Sequence, residues 1–172
     1  MIFSIFSVIE TIHLTTFIAA PVERVFDLAR SIDLHLISTK KSKEKAIAGV
    51  TSGLINLGET VTWQAKHFFK TRQFTSRIST MIIPSFFTDD MVSGDFTSFR
   101  HEHHFMKVEN GTIMIDKIFY EVPHGRIGRW FNIIWLKNYL EKLLRVRNIV
   151  IKEYSETNRW ESVLKSMESV GK

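Results

Sequence analysis

The chain has 172 residues, enough for one domain that buries about two-thirds of the surface its unfolded form exposes. Its net charge of +5 is spread along the chain instead of forming a basic face interleaved with aromatics, which argues against a nucleic-acid partner and for a solvated surface. Cysteine is absent, so disulfides, thiolate catalysis and cysteine-ligated metals are excluded, in keeping with a cytoplasmic setting.

The amino terminus, "MIFSIFSVIETIHLTTFIAAP", starts apolar but has no positively charged region, and Glu10 and His13 interrupt it. It is not a signal peptide. No window approaches the roughly 18 uninterrupted apolar residues of a membrane span, so no stable membrane insertion is expected. Residues 9–18 alternate as a half-buried strand, and residues 1–8 are either an extra strand turn or a frayed leader. Pro21 suits the first turn of a helix, and Val22, Val25, Phe26 and Ala29 follow at helical spacing to about Arg30. Ser31 and Asp33 can cap a second short helix to about Leu36.

From about residue 44 to 122 the period changes to two, with glycines between segments. "EKAIAGV" is a short strand. "ETVTWQAKHFF" places Val61, Trp63, Ala65 and His67 on one face. "RQFTSRISTMII", "FFTDDMVSG" and "DFTSFRHEHHFMKVEN" follow, and an Asn110-Gly111 pair predicts a hairpin into "GTIMIDKIFYEV". Pro123 and Gly125 end the sheet. From about Arg126 to Glu156 the spacing predicts one helix of ~45 Å, with Leu136, Leu140, Leu143, Arg147, Val150 and Tyr154 as its stripe. Residues 157–172 are a short terminal helix or a frayed tail of the same single domain, whose core spans about 10–155.

The segments "IAAPVERVFDLARSIDLH" (18–35), "GVTSGLINLGETVTWQAKHF" (49–68), "DDMVSGDFTSFRHEHHF" (89–105) and "YEVPHGRIG" (120–128) resemble those of the START/Bet v1-like superfamily, which includes polyketide cyclase/dehydrase-like proteins. The resemblance covers about residues 10–155. It implies an α+β helix-grip fold: a curved antiparallel sheet of six to seven strands around a long C-terminal helix, with two short helices after the first strand. It also implies a pocket for a lipid-, aromatic- or polyketide-like molecule, which only some relatives use as an enzyme site.

The stretch "FRHEHHF" splits by face, because residues two apart in a strand point the same way. Phe99, His101, His103 and Phe105 face inward, and Arg100, Glu102 and His104 face solvent. A His-x-His pair can ligate a metal, and His67 shares a face with Trp63 as a possible third ligand. No metal or other cofactor is nevertheless expected. Both faces of the next strand are mostly apolar, so the pattern leaves the direction of Asp116 open. Facing inward, Asp116 fixes the tautomer of a pocket histidine, with Tyr120 as a second donor. Arg147 interrupts the helix stripe. It needs a carboxylate such as Asp116, Asp89 or Asp90, or an anionic ligand head, unless its stem snorkels outward.

The expected function is binding of a hydrophobic small molecule by Trp63, His67, Phe99, His101, His103, Phe105, Asp116, Tyr120 and Arg147, in a monomer or homodimer. The alternative is a cofactor-free cyclase/dehydrase-type enzyme with a histidine base supported by Asp116 or Arg147.

Overall fold

The computed structural model describes residues 9–40, 43–67, 70–123 and 129–168, apart from the side chains at 67, 129–134 and 166–168. Strand β1 (Glu10–Ile18) buries Ile12 and Ile18 on one face. Pro21 then opens α1 (Val22–Ala29), which turns Val22, Val25, Phe26, Leu28 and Ala29 inward. Ser31 caps α2 (Ile32–Ser38), its Oγ accepting from the Leu34 amide at 3.2 Å. Asp33 does not share that work. Its carboxylate instead accepts from the Gly53 amide at 2.8 Å, tying α2 to the loop before β3.

Six strands follow: β2 (Lys45–Gly49), β3 (Thr60–His67), β4 (Lys70–Ile82), β5 (Phe86–Ser93), β6 (Ser98–Val108) and β7 (Gly111–Glu121). All pair antiparallel in the order β1-β7-β6-β5-β4-β3-β2, so the first strand lies beside the last. The long helix α3 (Arg129–Glu156) packs with α1 on the inner face, and a short 3-10 turn (Asn158–Trp160) leads to α4 (Glu161–Glu168). Here α4 docks by burying Val163. The arrangement is the helix grip expected from the sequence. No helix among the described residues is long and apolar enough to cross a membrane.

Phe26 of α1 stands at the centre of the packing. It is fully buried and meets Phe87 edge-on at 5.6 Å and Phe105 at 5.3 Å. Burying a ring of that size contributes about 1.5–3 kcal/mol.

Two expectations need correcting. Val108 pairs directly with Gly111, so Glu109 and Asn110 form the hairpin loop, not Asn110 and Gly111. Gly111 is required for another reason: a Cβ there would lie 2.2 Å from the Ile18 carbonyl oxygen, where the paired strand β1 ends beside it. The buried line of α3 also runs one residue round from the expected stripe. Leu144, Asn148, Ile151 and Ser155 face inward, while Leu143, Arg147 and Val150 sit at the margin and Tyr154 is buried. One residue is a turn of about 100° on a helix. An aliphatic pattern misplaces that line because its true centre carries two polar side chains. The expected helix start (126–128), Gly125, and residues 1–8 and 169–172 lie outside the described residues.

Candidate functional site

The middle of β6 and β7 carries a group of polar side chains on the inner face. The register sets His103 opposite Asp116 and His101 opposite Ile118, with Asp89 of β5 opposite His101. Asp116 is completely buried. His101 donates from Nε2 to Asp116 Oδ1 at 2.9 Å. His103 Nδ1 is also 2.9 Å from that oxygen, yet the two are not aligned as a hydrogen bond, and Nδ1 is left without a partner. The second oxygen, Oδ2, accepts from Asn148 Nδ2 at 2.7 Å, and the same amide reaches Thr16 Oγ1 at 3.2 Å. Arg147 brings Nη1 to 3.6 Å from Asp116 Oδ1 and donates from Nη2 to the Ala29 carbonyl at 2.7 Å. The rings of His101 and His103 lie 3.7 Å apart, and Phe87 stacks on His103 at 4.1 Å.

Burial and pairing pull these groups apart in charge. Burial alone would raise Asp116, but the hydrogen bond from His101 and the nearby His103 hold it well below the usual carboxylate range, so it is ionised. His103 is depressed well below 6.5, first by burial and then by His101, against the pull of Asp116, and so it is neutral. Asp89 moves the other way: burial pushes it up despite Ser76, His101 and Arg147. Burial also pulls the Arg147 guanidinium down, with Asp116 and Asp89 opposing. It remains a cation, since a guanidinium is protonated at any ordinary pH. The result is a neutral imidazole beside a buried carboxylate–guanidinium pair.

No family model matches the sequence, and no curated protein matches it either. Solved structures do match. TTHA0849 from Thermus thermophilus superimposes with a TM-score of 0.66 at 18% identity, over 85% of this chain and 99% of that one. A START superfamily protein from Mycobacterium smegmatis gives 0.63 at 13% identity, over 85% and 97%. The ginseng major latex-like protein 151 from Panax ginseng gives 0.62 at 14%, over 87% and 99%. The fold is the START/Bet v1-like helix grip.

Within that helix grip the structure brings together His101, His103, Asp116 and Arg147, and it turns Asp116 inward. Phe105 joins them through Phe87, whose ring it stacks on at 5.9 Å. Other expected residues sit elsewhere. Trp63 lies on β3, three strands or about 14 Å from β6, where it stacks on His35 at 4.0 Å. Phe99 packs on Phe74 and Phe96. Tyr120 is on the same face as Asp116 but four residues along, about 13 Å away. There it packs against Phe96, its hydroxyl has no partner, and burial followed by Glu10 pushes it up to about 12. His67 ends β3, and its side chain lies outside the described residues.

Asn148 is the residue that sequence reasoning missed. Its signal was present: it falls four residues after Leu144 and three before Ile151, a polar position inside an apolar helical line.

Proposed function

We propose that the chain binds a hydrophobic small molecule, lipid-, aromatic- or polyketide-like, between the sheet and α3. The observation that carries this is a set of buried polar atoms around Asp116 that make no aligned hydrogen bond: His103 Nδ1, Asn148 Oδ1 and Arg147 Nη1, the last held only by its ion pair with Asp116 at 3.6 Å. Buried polar atoms are normally satisfied, and several orphans in one region call for a ligand. Aromatic walls around a few convergent polar groups are the usual make-up of a small-molecule site. The START/Bet v1-like fold supports the same reading. The polar head of the ligand lies against Arg147 and Asn148, and its apolar body lies toward Phe105 and Phe87.

Native mass spectrometry of freshly purified protein, followed by organic extraction, tests it. A bound organic mass released on denaturation is expected. A bare chain that also fails to take up lipids or aromatic acids would overturn the proposal.

One observation favours catalysis as a second reading. A neutral buried imidazole beside an ionised carboxylate is the arrangement of an acid–base pair. If the extracted compound is turned over, His103→Gln abolishes turnover and leaves binding in place. Turnover that survives that change excludes His103 as the base.

A further inference from the structure

We infer that His101 Nε2, His103 Nδ1 and Asp116 Oδ1 together bind one divalent first-row transition ion. The three ligand atoms lie within 4.8 Å of one another, and all three side chains are buried. The donor set, two imidazoles and one carboxylate, suits zinc or ferrous iron, and three protein ligands are what an open metal site offers. The inference goes beyond the ligand-binding proposal and stands without it. It also replaces the sequence-based expectation of no metal, where the third ligand was sought in His67.

Geometry favours an ion over a simple hydrogen-bonded triad. His103 Nδ1 is 2.9 Å from Asp116 Oδ1 without an aligned hydrogen bond, so Nδ1 is left without a partner. Oδ1 accepts from His101 Nε2, whose proton moves to the other ring nitrogen or is released when an ion binds. Metal–ligand bonds of about 2.0–2.1 Å in a tetrahedral site set neighbouring ligand atoms about 3.3 Å apart, so the two 2.9 Å separations open by a few tenths of an ångström. The two imidazole nitrogens, within 4.8 Å of each other, close onto the ion. The supporting shell is already built. Asn148 Nδ2 holds the other carboxylate oxygen at 2.7 Å and so fixes which oxygen faces the imidazoles. Phe87 fixes the plane of His103 and keeps that side dry. Such partners commonly orient metal ligands.

Arg147 competes for Asp116 from 3.6 Å, but its position does not depend on that contact, because Nη2 is anchored on Ala29. Since Asp116 and Arg147 cancel in charge, the ion brings its own two charges into the site. The open position therefore takes an anionic or readily ionised oxygen, such as a carboxylate or an enol.

Chelator-treated protein dialysed against zinc ions and then gel-filtered should retain one zinc per chain by elemental mass spectrometry. His103→Gln should lose it. His104→Gln, which alters only the solvent-side ring paired with Glu102 at 3.1 Å, should keep it. No retained zinc, or equal retention in His103→Gln, overturns the inference. Should His103→Gln fail to fold, cobalt(II) on the wild-type chain decides: an intense visible band marks a low-coordinate interior ion, and a pale hydrated spectrum overturns the site. Organic-ligand binding measured on the same metal-free protein separates failure of this inference from failure of the function proposed above.

Discussion

Asn148 on α3 donates one amide group to two strands at once, to Asp116 of β7 at 2.7 Å and to Thr16 of β1 at 3.2 Å. No other side chain among the described hydrogen bonds ties the long helix to the carboxylate at the centre of the sheet. Replacing it by leucine leaves an ionised, buried oxygen without its donor, which costs about 1–3 kcal/mol. Urea denaturation of Asn148→Leu at neutral pH should show an unfolding free energy lowered by that much, and a midpoint lowered by that loss divided by the m-value. A midpoint equal to wild type would mean that Asp116 recruits another donor.

Stability of the metal-free protein should fall as pH drops below neutrality. His103 titrates lower when folded than its ordinary 6.5, because burial, His101 and Arg147 disfavour its charge. The unfolded chain then takes up a proton that the folded chain refuses, and stability is lost as pH falls below about 6.5. Asp116 adds to this at lower pH. Its contribution is complete above the ordinary 3.8 and is lost as pH falls through its depressed folded value. Denaturation midpoints at pH 7 and pH 5 should therefore differ, and His103→Gln should flatten the difference. An unchanged slope in that variant would assign the effect to other groups.

Asp89 contributes with the opposite sign. Burial raises it above 3.8, so the folded chain holds its proton longer than the unfolded chain, and stability falls as pH rises through that window. The neutral, nearly isosteric Asp89→Asn should unfold at a higher temperature than wild type at pH 7.5, with the gain shrinking toward pH 4. A loss of stability at pH 7.5 would show that the ionised form makes interactions that outweigh its burial.

Gly111→Ala tests the close approach of the end of β1 to the start of β7. The added Cβ meets the Ile18 carbonyl at 2.2 Å and the Ala19 Cα at 3.0 Å, both backbone atoms that cannot rotate away. Strain of this kind costs on the order of 1–3 kcal/mol, and displacing a buried strand adds to it. Thermal unfolding should come several degrees earlier than in wild type. Gly53→Ala meets no atom within 4 Å and should suffer only from its left-handed backbone (φ +80°), so its loss should be smaller.

The sheet was legible because its physics is local. Alternation alone put His101 and His103 on one face and His104 on the other, since a strand has only two faces. Asp116 was ambiguous because both sides of β7 are apolar: Ile113, Ile115 and Phe119 on one, Met114, Ile118 and Tyr120 on the other. Only pairing with His103 across the ladder decides it, and register between strands is not written in either strand alone. Tyr120 shows the other limit. Its face was right, but period two says nothing of distance along the strand, and four residues separate it from the chemistry. On α3 the hydrophobic period marked Arg147 as the interruption and passed over Asn148, because a polar residue at the centre of a stripe looks like a break until its partner is known.

Two arginines join α1 to α3 from opposite directions. Arg24 of α1 reaches the Ser155 carbonyl of α3 at 2.9 Å, and Arg147 of α3 reaches the Ala29 carbonyl of α1 at 2.7 Å. Each is a latch thrown from one panel into the frame of the other. Prising the panels apart costs two charge-assisted bonds of about 1.5–3 kcal/mol each. One of the latches is the same side chain that stands over Asp116. A guest that draws Arg147 toward itself therefore loosens the door through which the helices are held shut, so what happens at the centre of the sheet is felt at the corner where α1 gives way to α2.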